Sequence, residues 1–415
     1  MSFFKASVWT ATATVSKILT GLLVVKCFAV SYGPEGMGLA SNYRQLITVL
    51  GVLAGAGIFN GVTRLIAEHQ TDPHQLALIT RTSSSLVLIC NLLLAAVLFF
   101  GAVPFSRLLF NTDKFSLVLQ IVGLLQMAIG WANLLQAQLK GFRDAAGNAL
   151  VVSIGAIVGV IAYVVCWWRF DFNGALTGFA LLPASALLPA ILLISYRTPL
   201  KVSWYLPGYH AIYAKQLASY MIMAVVTAFT LPVAWMIMRY WLAQQSNWQQ
   251  VGLWQALSSI SDVYLQFITA TFSVWLLPTL ARLSTRQQIA SEIQCTLQRI
   301  LPLLILISLV IWLLRDWVIT LLFSAQFHAM RDLFLWQLPG DICKVCAYIF
   351  GYVVIARGSL RFYLLAEVSQ LGLLLGSSAW FIPHYGITGA VQAYCLTYVC
   401  YLMVCIIIFV CWCRK

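Results

Sequence analysis

Apart from Arg315 and Asp316, which interrupt the ninth run, seven charged side chains of this 415-residue sequence lie inside long apolar runs and away from their ends. Lys17 and Lys26 lie in the first run and Arg44 in the second. Asp262 lies in the eighth, Asp341 and Lys344 in the tenth and Glu367 in the eleventh. A charge at the centre of a bilayer costs about 2.5–3.5 kcal/mol on insertion scales, so such groups face a protein interior or a water-filled path. Lysine and arginine held there offer charge-assisted hydrogen bonds to phosphate or carboxylate. Two readings follow. In the first, the charges are structural ties, Asp341 with Lys344 at i,i+3 on one helix face and Asp262 with Lys17. In the second, they line a solvated, net cationic cavity that receives an anion, four cations against three acids. Counted along the helices, Lys17, Asp262, Asp341 and Lys344 share one depth. Lys26 and Arg44 lie nearer the outside, and Glu367 lies in the inner half of its run. Lys26 follows Lys17 by nine residues, about half a turn out of phase, so the two need not face the same space.

The elements that position these groups are membrane helices. The sequence is 61% hydrophobic and only 9% charged, against about 25% charged in a soluble domain. Apolar runs of helical length recur from end to end, at 7–31, 37–66, 78–101, 114–138, 148–168, 174–196, 212–240, 250–279, 298–323, 331–357, 361–382 and 386–412. The ninth is interrupted by Arg315 and Asp316, and its last part reads as an interfacial helix. These are twelve transmembrane helices of an all-α polytopic membrane protein.

The net charge of +13 follows from the distribution of basic residues. With the N-terminus inside, fifteen of the 25 lysines and arginines fall on inner segments, six on outer segments and four within the membrane. That asymmetry places both the N- and C-termini in the cytoplasm. It also removes any need for a nucleic-acid partner. The longest connections, 197–211 and 280–297, leave no room for a soluble catalytic domain.

Short matches recur in order at nearly one offset. Met37-Gly38-Leu39 pairs with Val251-Gly252-Leu253, and Leu108-Leu109-Phe110 with Leu321-Leu322-Phe323. Lys140-Gly141 pairs with Arg357-Gly358, and Gly174 with Gly386. The expectation is two parallel six-helix lobes around a central cavity: 1–200, a cytoplasmic linker at 201–211, and 212–415.

Other features read as structure first. Gly51, Gly55, Gly57 and Gly61 suit close helix packing, with a hinge as the alternative. Pro232, Pro302 and Pro339 mark kinks. Trp241, Trp248 and Trp254 read as interfacial anchors, with sugar stacking as the alternative. Cys343-x-x-Cys346 lies within a helix and reads as small apolar packing. The five histidines fall in loops or at span ends. There is no phosphate-binding glycine loop, no zinc-protease histidine pair and no nucleophile elbow, and nothing calls for a catalytic residue, a metal or a cofactor.

Four stretches carry a resemblance that covers the chain end to end. They are Asn42-Tyr-Arg-Gln-Leu through Gly61-Val-Thr63, Lys140-Gly-Phe-Arg-Asp-Ala-Ala-Gly-Asn-Ala149, Ser258-Ser-Ile-Ser-Asp262 with Tyr264-Leu-Gln-Phe267, and Arg361-Phe-Tyr through Glu367-Val-Ser-Gln370. The sequence resembles the Wzx-type polysaccharide flippases, within the superfamily of multidrug, oligosaccharidyl-lipid and polysaccharide exporters. The resemblance implies two lobes that open alternately to each side of the bacterial inner membrane. It implies a lipid-linked oligosaccharide substrate on undecaprenyl pyrophosphate, whose tail stays in membrane lipid. It implies as partners the polymerase and chain-length regulator of the same pathway. On that reading Lys17, Arg44 and Lys344, with Lys26 as a fourth cation, meet phosphate or carboxylate. Asp262, Asp341 and Glu367 compete for the cations or couple to a proton or sodium ion. A drug antiporter on the same fold is the competing expectation, although cationic drugs would favour acids where the first helix carries lysines. A membrane enzyme is disfavoured by the short outer loops.

Overall fold

A computed structural model describes residues 3–414 except 56, 277, 278, 281, 282, 284 and 357–359. Arg282 and the Arg357-Gly358 match therefore lie outside the described residues, as do the side chains of Lys5 and Arg361. Helices α1 to α7 span Phe3–Leu53, Phe59–Glu68, Pro73–Phe100, Ala102–Phe110, Ser116–Gly141, Ala145–Ala184 and Leu187–Arg197. Helices α8 to α14 span Ala211–Phe229, Leu231–Gln245, Trp248–Thr271, Arg286–Leu313, Arg315–Leu322, Phe334–Ala356 and Leu360–Arg414.

Eight stretches of these helices are long and apolar enough to cross a membrane. Three of them contain a non-helical residue and so hold two helices each: α1 at Gly33, α6 at Asp171 and α14 at Gly386. Helix α10 adds a further crossing. Its glutamines, serines and Asp262 lower its hydropathy, yet its length suffices. The expected twelve crossings are thereby accounted for, in the fold reported below for its structural relatives.

By internal contacts the chain divides into two compact units. Unit 1 is Met1–Val25 with Asn42–Phe229; unit 2 is Lys26–Ser41 with Thr230–Lys415. The core of unit 1 gathers Ile58, Val62, Ile66, Leu76, Val87 and Leu134. That of unit 2 gathers Leu265, Phe272, Ile293, Val345, Tyr394 and Tyr398. Many large apolar side chains outside both cores are exposed, including Leu93, Phe100, Ile161 and Leu188. In a membrane helix that is the lipid-facing surface, where hydrocarbon replaces water as the neighbour. The segment 201–211 packs onto unit 1: Tyr205 donates to Gln138 Oε1 at 2.6 Å, and the Gly208 N–H donates to Ser85 Oγ at 2.8 Å.

The repeat is visible as matched local geometry. Asp72 caps α3 and Thr285 caps α11, 213 residues apart (285 less 72). Helix α3 passes into α4 at Gly101 (φ −89°, ψ 6°), and α11 into α12 at Leu314 (φ −95°, ψ 10°), again 213 residues apart (314 less 101). The short α12 begins where Arg315 and Asp316 interrupt the ninth apolar run. The two hairpins turn at Asp171 (φ 49°, ψ −128°) and Gly386 (φ 56°, ψ −128°). Three residues past each turn a glycine meets the carbonyl eight residues before it, Gly174 at Cys166 and Gly389 at Phe381. The partner of Gly174 is thus Gly389, not the Gly386 that the sequence match suggests. Equivalence follows the turn, and three residues separate turn from glycine.

Gly38 and Gly252 meet each other within unit 2. A Cβ on Gly38 would lie 1.9 Å from the Trp248 carbonyl oxygen, and one on Gly252 would lie 1.6 Å from that of Pro34. Each glycine faces the carbonyl four residues before the other, a two-fold-like crossing that no larger side chain permits.

The remaining glycines and prolines divide between packing and breaks. Helix α1 stops at Leu53, and Gly57 takes a positive φ of 67° before α2 begins. Gly57 and Gly61 also press against Ala224 and Leu217 of α8, so this stretch is both a break and a packing face. Pro232 follows the break between α8 and α9 at Thr230. Pro302 and Pro339 instead sit inside the helices α11 and α13.

Candidate functional site

Unit 1 collects cations. Lys17 is exposed on the first arm of α1, where Ser16 Oγ lies 3.3 Å from Ser153 Oγ of α6 and ties the two helices together. Lys140, one residue from the end of α5, is held below the usual lysine range first by desolvation and then by the positive charge of Lys17. The α5–α6 junction sets its place. Gly141 packs against Ile66 and the Thr63 carbonyl, Arg143 adopts a positive φ of 57°, and Asp144 caps α6. Asp144 in turn pairs with Arg197 at 3.1 Å. Arg44 is half-buried, its guanidinium carbon 5.1 Å from the centroid of the Phe179 ring. The neighbouring buried Tyr43 donates to the Leu176 carbonyl at 2.8 Å and fixes that turn of α1 against α6. The recorded ion pairs of unit 1, Arg64–Glu68, Arg107–Asp113 and Arg197–Asp144, include neither Lys17 nor Lys140.

Unit 2 collects acids and hydroxyls around one lysine. Asp341 is 1% exposed on α13. Its Oδ2 accepts from Ser261 Oγ at 2.6 Å and from the Tyr264 hydroxyl, both on α10. Its Oδ1 accepts from the Tyr394 hydroxyl of α14 at 2.5 Å and from Gln337 Nε2 at 3.3 Å. Buried carboxylates are tolerated when hydrogen bonds replace water, and each bond to a charged group contributes about 1.5–3 kcal/mol. Gly340 makes the closure feasible. A Cβ there would lie 2.7 Å from the Tyr394 ring, so α13 and α14 approach only because the position is glycine.

Lys344, one turn along α13, has its ammonium 5.6 Å from the Tyr394 ring centroid and 5.2 Å from that of Tyr398. Cation–π contacts of this kind contribute roughly 0.5–2 kcal/mol. Gln370 Nε2 donates to the Tyr398 hydroxyl at 2.9 Å, and Trp235 packs against Tyr394 with ring centroids 5.8 Å apart and the planes tilted by 41°. Asp262 is exposed and, with Asp341, acts on Lys344 through space. Glu367 accepts from Thr230 Oγ1 at 3.1 Å. Lys26 is exposed and belongs to unit 2, whereas Lys17 belongs to unit 1.

The structure corrects two expectations. Asp341 and Lys344, a tie in one of the two readings offered by the sequence, form no ion pair among the described residues; hydroxyls and an amide bond both carboxylate oxygens instead. Trp254 is not an interfacial anchor: it is 1% exposed and packs 5.6 Å from Trp235. The residues that sequence reasoning missed are Lys140, Ser261, Tyr264, Gln337, Tyr394 and Tyr398. The i,i+4 pairs Gln337–Asp341 and Tyr394–Tyr398 were the available signal, since each sets two polar groups on one helix face.

Comparison with known proteins gives three findings. No family profile matches the chain. A curated relative from Escherichia coli (strain K12), named lipid III flippase, is 51% identical over 415 residues, covering all of both chains. Among solved structures, an inward-facing multidrug resistance MATE family transporter of the MOP superfamily matches with a TM-score of 0.74 at 12% identity, over 97% of this chain and 94% of that one. The lipid II flippase MurJ in an inward closed conformation matches with a TM-score of 0.74 at 12% identity, over 97% of this chain and 87% of that one. At such identities the solved structures show the fold, while the curated relative shows kinship.

Proposed function

This chain belongs to the lipid III flippase family, and on that premise we propose that it carries an undecaprenyl-pyrophosphate-linked oligosaccharide from the cytoplasmic to the periplasmic leaflet of the bacterial inner membrane. The substrate of this reading is the trisaccharide lipid of enterobacterial common antigen, which bears an acidic sugar. The protein is a transporter and not an enzyme: it moves a headgroup and makes or breaks no bond in it. The substrate is anionic twice over, at the diphosphate and at the uronate.

One observation carries the reading above all. Lys140 of unit 1 is held below the usual lysine range, first by desolvation and second by the positive charge of Lys17, and neither lysine enters an ion pair found among the described residues of unit 1. An anion bound there offsets that positive charge and gains charge-assisted hydrogen bonds. Arg44, held on Phe179, supplies a planar fork suited to phosphate. Lys344 supplies a cation in unit 2, and Lys26 is the fourth candidate. The acids Asp262, Asp341 and Glu367 oppose these cations and assist release of the anion, or couple it to an ion. Two six-helix lobes with cytoplasmic termini, opening alternately, give the headgroup its path while the polyprenyl tail remains in lipid. The pathway's polymerase and chain-length regulator then take the product outside.

The test is transbilayer movement in proteoliposomes loaded with fluorescent lipid-linked trisaccharide. The expected result is equilibration well above that of empty liposomes, with Lys17→Ala and Arg44→Ala each slower at equal folded protein. Movement no faster than in empty liposomes, with export of a cationic dye instead, would reject the reading in favour of a drug antiporter.

A further inference from the structure

Lys344 has an acid one turn away on its own helix that does not reach it. The i,i+3 spacing of Asp341 and Lys344 ordinarily brings such a pair together. Here both carboxylate oxygens are turned to other donors, and the shortest recorded distance on Oδ1 is to the Tyr394 hydroxyl, 2.5 Å. The same Tyr394 carries the Lys344 ammonium over its ring at 5.6 Å. One side chain thus holds the acid with its hydroxyl and the cation with its face. Its own position is fixed by the close approach at Gly340 and by Trp235.

We propose that Tyr394 is a positioning residue for translocation: by binding the Asp341 carboxylate it keeps Lys344 from pairing with Asp341 and leaves it available to an anionic group of the substrate, a diphosphate or a sugar carboxylate. This rests on the reading that Lys344 meets the substrate. The physical basis is competition. A carboxylate oxygen that loses its closest donor in a low-dielectric interior, as Oδ1 would with only Gln337 left to it, turns to an ammonium within reach, and an already paired ammonium binds a third charge weakly. A phenol hydroxyl is a suitable restraint because it binds the acid without adding charge. The ring face then steadies the cation while leaving its N–H donors free for a ligand.

The experiment is binding of two probes to purified full-length protein, undecaprenyl diphosphate and the complete uronate-bearing lipid. Tyr394→Phe keeps the ring and removes the hydroxyl. It is expected to weaken binding about tenfold, and Asp341→Asn added to it is expected to restore binding to within about threefold of wild type. Weakening of both probes identifies the diphosphate as the anion; weakening of the complete lipid alone identifies the sugar carboxylate. Either supports the proposal. Asp341→Asn alone is expected to bind at least as tightly as wild type, and thermal melting confirms that each variant folds. If Tyr394→Phe binds as wild type does, or if the double variant stays as weak as Tyr394→Phe, the hydroxyl is only structural and the proposal is wrong. Lys344→Ala separates the underlying reading: unchanged binding in that variant removes Lys344 from the site altogether.

Discussion

Lys17 and Lys344 carry the same charge in opposite company. Lys17 is exposed, and its positive charge adds to the desolvation that holds Lys140 below the usual lysine range. Lys344 sits on two tyrosine rings beside Asp341 and Asp262, inside a network that ties α10, α13 and α14 together. The difference teaches that membrane-embedded charge has two physical solutions in one chain. In unit 1, Lys17 and Lys140 enter none of the ion pairs found among the described residues. In unit 2 the charge is built into the fold, and removing part of it also removes structure.

The largest expected effect tests the first half of that contrast. Lys17→Ala with Lys140→Ala should slow flipping by at least about a hundredfold, the lower end of what two lost charge-assisted contacts of about 1.5–3 kcal/mol each imply. Thermal stability should hold or rise, because a repulsion has been removed; a thermal melt alongside the flipping assay checks both. Lys344→Ala should follow, with flipping slowed about tenfold. Asp341→Ala probes the second half. It strands the Ser261, Tyr264 and Tyr394 hydroxyls and should lower stability by about 1–3 kcal/mol, read as a reduced melting temperature in detergent. Equal stability losses in the Asp341 and Lys140 variants would erase the distinction between the units. The smallest effect compares the two hairpin turns. Gly386→Ala should destabilise by about 1–3 kcal/mol, whereas Asp171→Gly, at nearly the same backbone angles, should shift melting the other way or not at all.

Much of the fold was legible because hydropathy and length specify membrane helices almost by themselves. The repeat was legible where packing demands glycine, as at Gly38 and Gly252. It slipped by three residues at Gly174 because the turn there is made by Asp171 and not by a glycine. The site was half legible. Charges inside apolar runs announced Lys17, Arg44, Asp341 and Lys344. Their partners stayed hidden because hydroxyls and amides are common in such helices, and only tertiary contact shows that Ser261, Tyr264 and Tyr394 converge on one carboxylate. Spacing along α13 favoured an Asp341–Lys344 pair, and neighbouring helices overruled it. Lys140 reads as an ordinary inner-loop cation in the sequence, and only the fold shows that the charge of Lys17 acts on it.

The most direct test of the central claim, that the lysines of unit 1 take up the substrate's negative charge, is the preference of the purified protein for undecaprenyl diphosphate over uncharged undecaprenol. Wild type should bind the diphosphate more tightly, with a preference that shrinks as salt rises. The Lys17→Ala, Lys140→Ala protein should bind both lipids alike. A double variant that kept the full, salt-sensitive preference would contradict the account.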